Sequence, residues 1–507
     1  MLRIFGPPGT GKTTTLLDIV DKSLSSGVPS QQMAFFAFTR KAANEAKERA
    51  CARFGLDIRS DLPYFRTMHS LAFHLTGLKS EQLMQSEHYR EIESRIGFEL
   101  VSSAARQDEV DENLSSALRK ESEVLRLITL ARLKMMPLQQ LYNQSSVEHT
   151  WREVDYVARA VEKYKKIHGL YDYTDMLELF SEMGPDVCPQ FKIAMLDEAQ
   201  DLSPLQWKIA HVIDDKSERM YCAGDDDQAI YEWAGADVEH FINLPGGSEV
   251  LEQSYRIPGN IHTLAERISK RIIRRFPKTY LPRKDLGRLE TVQTIENLTF
   301  DEGSWLILAQ ARYFMNPVRH FLKQQGYFFE ADGHPSLTLK IRTALDAWQK
   351  LQKNEPINLT SVKTLYAYMT GNGVRVARGH KRILADDDEM FTFARLKNEF
   401  GLLATLDMDW ETALDKLPDV DRAYINALIR RGEDLNAAPR IRLSTIHGAK
   451  GGEADNVVLF TDLTVAAEQT LETNPDALHR VFYVAVTRTR ENLFTVSPEN
   501  FYRSYPL

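Results

Sequence analysis

The sequence predicts an α/β protein with parallel sheets, arranged as two sheet-forming units that are each interrupted by a mostly helical insertion. Three observations carry this reading. The stretch Gly6-Pro7-Pro8-Gly9-Thr10-Gly11-Lys12-Thr13 lies between the apolar run Leu2-Arg3-Ile4-Phe5 and the helix-like run Thr14-Thr15-Leu16-Leu17-Asp18-Ile19-Val20, and strand, loop, helix is how a parallel sheet begins. Short apolar runs recur along both halves of the chain, as buried strands do. Between them, two long segments place Leu, Ile and Val at helical spacing among charged residues, with few strand signals.

The first element also carries chemistry. It fits the phosphate-loop pattern at every fixed position, with a strand before it and a helix after it. Its glycines let backbone N–H groups turn inward around a triphosphate, the following helix offers its positive end, and Lys12 adds a mobile cation. Gly6, Gly9, Thr10, Gly11, Lys12, Thr13 and Thr14 are the expected ATP-contacting set, with the Thr13 hydroxyl on Mg²⁺.

Met33-Ala34-Phe35-Phe36-Ala37-Phe38 reads as a buried strand and Thr39 to Ala46 as the start of a helix. Residues 76–170 form the first helical insertion. Sheet character returns at Phe191-Lys192-Ile193-Ala194-Met195-Leu196, which ends in Asp197-Glu198-Ala199-Gln200-Asp201, and again at Met220-Tyr221-Cys222-Ala223 before Gly224-Asp225-Asp226-Asp227-Gln228. A second α/β unit is expected from 251, including Trp305-Leu306-Ile307-Leu308-Ala309. A helical, charge-rich stretch at 352–438, with Asp386-Asp387-Asp388-Glu389, interrupts it. It resumes at Ile441-Arg442-Leu443-Ser444-Thr445, Val457-Val458-Leu459-Phe460 and Leu493-Phe494-Thr495-Val496. The expected division is thus 1–75 with 171–250, insertion 76–170, then 251–351 with 439–507, and insertion 352–438.

Composition narrows the class. A chain of 507 residues with 43% apolar content has room for several cores, and its net charge of −8 does not advertise a protein that coats nucleic acid. Cys51, Cys188 and Cys222 are few and far apart, which argues against a disulfide framework or zinc knuckle. No leader-like start and no apolar run near twenty residues is evident, so the expectation is a cytoplasmic protein without membrane contact. No internal repeat or low-complexity linker is present.

Acidic residues ending a buried strand downstream of a phosphate loop are the second half of an NTPase. Asp197 can hold the Mg²⁺ that Thr13 touches, and Glu198 can polarise the attacking water. Alone, Asp-Glu after a strand is more often a helix start or cap; beside the loop the catalytic reading prevails. These segments join others in a fixed order: Ala37–Ala46 (AFTRKAANEA), Thr67–Phe73 (TMHSLAF), Asp172–Leu177 (DYTDML), Leu196–Asp201 (LDEAQD), Gly224–Tyr231 (GDDDQAIY), Gln253–Arg256 (QSYR), Ser444–Glu453 (STIHGAKGGE) and Tyr483–Arg488 (YVAVTR). The set resembles the UvrD/Rep/PcrA branch of superfamily 1 DNA helicases, over both sheet units and weakly in the two insertions.

The resemblance implies two RecA-like P-loop NTPase domains, with ATP in the cleft between them and single-stranded DNA across their top. It implies that Gln228 senses the γ-phosphate, that Tyr255 stacks on adenine, that Arg256 and Arg488 are cationic fingers, and that Glu453 contacts the ribose. Lys12, Asp197, Glu198, Gln228, Arg256 and Arg488 are then the catalytic set. Phe38, His69, Trp233 and His447 are placed near the DNA, where aromatic rings stack on any base. For Phe38 and Trp233 a plain core role is the alternative. The basic run Arg267–Arg288 reads either as a helical face tracking phosphates or as a solvated charged helix.

Departures are visible. With five residues before Gly6, the family's glutamine-containing adenine segment is not expected ahead of the loop, Gly452 stands where leucine is usual, and Arg40 and Ala234 replace asparagine and arginine. The expectation is an ATP- and Mg²⁺-dependent DNA helicase moving on single-stranded DNA, 3′ to 5′. Tailed duplex is its substrate, and replication, repair or recombination proteins are its companions. A translocase that remodels protein–DNA complexes and a motor subunit needing a partner are the alternatives, and RNA remains open as a track.

Overall fold

A computed structural model describes residues 1–58, 60–101, 121–381, 386 and 389–507. Residues 102–120 of the first helical insertion, and Asp387 and Asp388 of the acidic run, lie outside the described residues. The chain divides into two compact units, Met1–Leu286 with Thr470–Thr487 and Gly287–Gln469 with Arg488–Leu507.

The first unit is built on a six-stranded sheet of β1 (Leu2–Phe5), β2 (Met33–Phe36), β3 (Tyr64–Arg66), β4 (Phe191–Leu196), β5 (Ser217–Gly224) and β6 (Ser248–Val250). Its order is β3-β2-β4-β5-β1-β6 and every ladder is parallel. All four residues of β2 are buried, as a continuous apolar run in a sheet covered on both faces must be. Register fixes the site. Phe5 pairs with Gly224 and Leu196 with Cys222, so the residues that follow β1, β4 and β5 emerge together at the carboxyl edge, where open α/β sheets place their ligands.

Local signals set the flanking helices. Thr39 accepts a hydrogen bond from Ala42 N to cap Arg40–Phe54, which stops at left-handed Gly55. Thr67 caps Met68–Leu75 in the same way. Within 76–170 the described helices are Ser86–Ile96, Glu123–Leu133, Leu138–Asn143 and Trp151–His168, with a core of their own around Val154, Val157 and Leu125. Arg132 and Lys165 from this stretch meet Asp172 and Asp175 at 2.6–2.9 Å in three of their contacts. Burial works against the Asp172 carboxylate, yet Arg132 and Lys165 outweigh it and pull the group down to about 2.

The second unit carries β7 (Arg288–Val292), β8 (Trp305–Ala309), β9 (Phe329–Ala331), β10 (His334–Pro335), the small pair β11 (Ile357–Asn358) and β12 (Met390–Phe391), then β13 (Ile441–Thr445), β14 (Ala454–Phe460) and β15 (Thr489–Val496). The large sheet runs β10-β9-β13-β8-β14-β15-β7, parallel throughout except for the β9–β10 hairpin. Trp305, Phe329, Trp348 and Tyr366 fill one core shared by this sheet and the helical stretch after it. The expected α/β class with parallel sheets is therefore what the chain forms.

Three readings change. The strand at Met33 ends at Phe36, which leaves Phe38 in the turn beyond it. The basic run does not form a charged helical stripe: the helix Gly259–Ser269 ends before most of it, and Lys278 is buried among carboxylates. The run folds back as irregular chain because Pro277 and Pro282 interrupt it. Residues 251–286 and 470–487, grouped by sequence with the second sheet, pack within the first unit. Among the described residues no helix is long and apolar enough to cross a membrane.

Candidate active site

The loop after β1 is shaped by what it cannot accommodate. Gly9 and Gly11 lie in the left-handed region, at φ 73° and 83°. A Cβ on Gly9 would fall 2.3 Å from Arg256 Cβ, and one on Gly6 would fall 2.0 Å from Lys12 Cγ. Both positions therefore require glycine. Thr10 Oγ1 donates to Pro7 O at 2.8 Å, and Lys12 Nζ lies across the loop, donating to Gly6 O at 2.8 Å. Thr14 occupies the first turn of the helix Lys12–Ser25.

Strand register brings the acids to this loop. Thr13 Oγ1 donates to Asp197 Oδ2 at 2.8 Å, so a hydroxyl and a carboxylate offer two adjacent oxygens, the kind of partial shell that suits a hydrated divalent cation. Burial and then the neighbouring Glu198 charge push Asp197 up to about 6, against Lys12 and the Thr13 hydrogen bond. Glu198 itself sits at φ 57°, ψ 40°, a conformation that costs a non-glycine residue on the order of 1–3 kcal/mol and clusters at functional sites. Its carboxylate lies 3.9 Å from Lys12 Nζ.

Gln200 explains how that carboxylate is held. Fully buried, it donates from Nε2 to Glu198 Oε2 at 2.5 Å and accepts through Oε1 from Asp225 N at 2.9 Å. Asp225 Oδ2 in turn accepts from Gln228 Nε2 at 2.7 Å. A continuous chain of hydrogen bonds thus runs from Glu198 through Gln200 and Asp225 to Gln228. Gly224 makes room for it, since a Cβ there would lie 2.6 Å from Gln200 Oε1.

The three aspartates before Gln228 converge on one cation. Lys278, 1% exposed, reaches Asp225, Asp226 and Asp227 at 3.1, 2.6 and 2.8 Å, and Arg275 binds Asp227 through two hydrogen bonds at 2.8 and 2.6 Å. Burial, with the Asp227 and Asp225 charges, pushes Asp226 up to about 6 against the pull of Lys278. Burial also opposes the charged form of Asp227, but Lys278 and Arg275 hold it below the usual carboxylate range. Removing one partner of a buried pair leaves uncompensated charge, which costs about 3–5 kcal/mol. Lys278→Met is therefore expected to lower the denaturation midpoint by that equivalent, and adding Asp226→Asn to recover part of it.

Tyr255 and Arg256 pack against the phosphate loop within the first unit. Tyr255 N donates to Gly9 O at 2.9 Å, and Ser254 Oγ donates to Pro8 O at 2.7 Å. The Tyr255 ring is 75% exposed, with a face open to stacking. In the second unit Arg488 is buried and donates from Nη1 to Gly452 O at 3.2 Å. Glu453 lies 3.6 Å from Arg490, and half-buried His447 sits in the turn after β13.

The aromatic candidates fall into two groups. Phe38 stacks on Tyr231 with ring centres 5.3 Å apart, and Tyr231 lies 6.3 Å from Trp233. His69 meets Tyr173 edge-on at 6.2 Å. Burial and then Arg40 push the His69 ring down to about 4, so at neutral pH it is an uncharged ring. Tyr231, Gln200 and Lys278 were not singled out from sequence. An aromatic two positions before Trp233 was a usable signal for Tyr231, whereas nothing local marked Lys278.

Comparison with known proteins places this geometry. Residues 1–246 match the UvrD/REP helicase N-terminal domain and residues 440–496 match the UvrD-like helicase C-terminal domain. The chain belongs to the UvrD/Rep helicase family. It is 27% identical over 291 residues to the ATP-dependent DNA helicase PcrA of Leuconostoc citreum, covering 55% of this chain and 38% of that protein. It is 22% identical over 312 residues to the ATP-dependent DNA helicase Rep of Buchnera aphidicola, covering 58% and 44%. A DNA helicase II homolog of Mycoplasma genitalium aligns at 22% identity over 597 positions, covering 97% of this chain and 82% of that protein. The chain thus spans about two fifths of the first two relatives. The two family matches contain the phosphate loop, Asp197, Glu198, Gln228 and the aromatic row in one, and His447, Glu453 and Arg488 in the other.

Proposed function

We propose that this chain is an ATP-dependent motor that moves on single-stranded DNA, 3′ to 5′, and separates duplex ahead of it. The observation that supports this most directly is the hydrogen-bonded chain Glu198–Gln200–Asp225–Gln228, because Gln228 stands three residues before the aromatic Tyr231. Nucleotide-side and strand-side groups share one short loop.

In this reading the loop N–H groups and Lys12 hold the triphosphate, and Tyr255 stacks on the base. Thr13 and Asp197 would hold Mg²⁺, which supplies charge neutralisation at the phosphates. Glu198 takes the proton of the attacking water, its carboxylate oriented by Gln200. Gln228 senses the γ-phosphate through its amide, and Arg256 places positive charge at the loop. Arg488 and Glu453 are proposed as a second cation and a ribose-contacting acid. Segments 1–75 with 171–250, and 251–351 with 439–507, are proposed as the two motor domains, residues 251–286 and 470–487 of the second being grouped with the first compact unit, with tailed duplex as substrate and replication, repair or recombination proteins as companions.

On the DNA side, Phe38, Tyr231 and Trp233 offer ring faces to bases of any identity, and His69 and His447 are proposed beside the strand. Stacking contributes about 1–3 kcal/mol per base. Trp233→Ala is therefore expected to weaken single-stranded DNA binding by about 5- to 150-fold, read by anisotropy of a labelled oligothymidylate. The test of the whole reading is steady-state ATP hydrolysis with and without single-stranded DNA, RNA and blunt duplex. Stimulation by single-stranded DNA is the expected outcome; basal hydrolysis that no nucleic acid changes would overturn it.

A further inference from the structure

Arg480 lies in the helix Pro475–Val486 and is 1% exposed. Its guanidinium makes three contacts to three separate segments. Nε donates to Asp226 O at 3.0 Å, Nη1 to Glu232 Oε1 at 2.7 Å, and Nη2 to Arg274 O at 2.5 Å. Asp226 stands two residues before Gln228, and Glu232 stands between Tyr231 and Trp233. One buried fork therefore touches the nucleotide-side loop and the aromatic row at once.

The surroundings make that fork rigid. Asn474, at the start of the same helix, donates to the other Glu232 oxygen at 3.3 Å. Asp476 accepts from Ile273 N and Arg274 N at 2.9 and 2.8 Å, which fixes the segment whose carbonyl Arg480 holds. Further along that segment Phe276 N donates to Asp226 Oδ2 at 2.7 Å, and Lys278 binds the aspartate loop. Alongside the Gln200 bond to Asp225 N, several grips on the loop thus come from the segment that the helix holds at Ile273 and Arg274. A planar, always-charged guanidinium can serve three acceptors in fixed directions, and a lysine ammonium cannot reproduce that geometry.

We propose that Arg480 is a positioning residue that makes the Asp225–Gln228 loop and the Tyr231–Trp233 row shift as one piece, with Glu232 as its hold on the strand side. The inference rests on the motor reading above and adds the element that links its two ligands. Glu232 is the point at which the link can be cut gently: its side chain is 29% exposed, its carboxylate accepts from Arg480 and Asn474, and its charge can be removed without changing its shape. A coupling between two ligands is reciprocal and typically amounts to about 5- to 150-fold in affinity.

The experiment uses the full chain, as wild type, Glu232→Gln and Arg480→Lys. Affinity for a labelled oligothymidylate is measured by anisotropy with and without a non-hydrolysable ATP analogue and Mg²⁺. ATP turnover is measured with and without the same oligonucleotide, and each protein's thermal midpoint is recorded. In the wild type the analogue is expected to change DNA affinity by about 5-fold or more. In Glu232→Gln that change is expected to fall below about twofold, with DNA stimulation lost in proportion, while DNA affinity without nucleotide and basal turnover stay within about twofold of wild type. Arg480→Lys is expected to lose the same coupling, together with some thermal stability.

A folded Glu232→Gln that keeps the full nucleotide effect overturns the proposal and leaves the motor reading standing. A Glu232→Gln that loses nucleotide-free DNA binding also overturns it, since Glu232 would then support the DNA site itself. A wild type that binds both ligands without any mutual effect removes both readings together.

Discussion

Glu198→Gln is expected to lower ATP turnover by about 10²- to 10⁴-fold, the range a positioned general base contributes, while nucleotide affinity stays within a few-fold of wild type. The substitution keeps the side chain's shape and its bond from Gln200, and relieves the charge that helps push Asp197 up. Gln200 Nε2 donates to Glu198 Oε2, and a glutamine oxygen at that position accepts the same bond. The left-handed backbone at residue 198 costs glutamine what it costs glutamate. The ion pair to Lys12 is long, at 3.9 Å, so its loss disturbs the phosphate loop little. What disappears is the proton acceptor. The check is kcat beside the dissociation constant of a fluorescent ATP analogue. A normal kcat would move the role of base to another residue, and a parallel loss of binding would make Glu198 a structural partner of Lys12.

The same residue shows where sequence is informative and where it is not. The phosphate loop was legible because its determinants are local: glycines at two left-handed positions, an apolar strand before and a helix after. Asp197 and Glu198 were legible as the end of a buried strand. Their proximity to Thr13 was not, because it depends on the order β3-β2-β4-β5-β1-β6, which places β4 and β1 on either side of β5 by long-range pairing. Nor was the use made of Lys278. In the sequence it is one cation in a basic run; in the fold it is the buried counter-charge of Asp225, Asp226 and Asp227. A run of like charges announces a surface only until tertiary packing supplies partners for some of its members.

Gln200 is a subtler case. It lies inside a segment that resemblance had already marked, yet its two hydrogen bonds reach one residue nearby and one in the next strand's loop. Its function is to join two acidic turns, and that needs both turns to be at one sheet edge. The grouping of residues 251–286 with the first unit has the same origin: Ser254 and Tyr255 hydrogen-bond to Pro8 and Gly9, contacts that no local pattern discloses.

Those contacts bear on Arg256, for which the expected result is the larger of the two. Arg256→Ala is expected to reduce turnover by about 10³-fold or more, the scale reported by removal of a cation that stabilises phosphoryl-transfer charge. Its Cβ lies where a Gly9 side chain would be, so its base is fixed against the phosphate loop by the Tyr255 N–Gly9 O bond on one side and by the Ser254 hydroxyl, which accepts from Arg256 N at 3.3 Å, on the other. A cation held there adds little to ground-state affinity if it serves charge that develops during transfer, and the loss then falls on kcat rather than on KM. Arg256→Lys separates charge from shape: a point charge on a flexible stem lacks the planar fork, and it is expected to recover at most a small part of the lost rate. Equal losses in kcat/KM and nucleotide affinity, with kcat unchanged, would instead assign Arg256 to ground-state binding of the phosphates. Normal kinetics in both variants would leave it as a packing residue beneath Gly9.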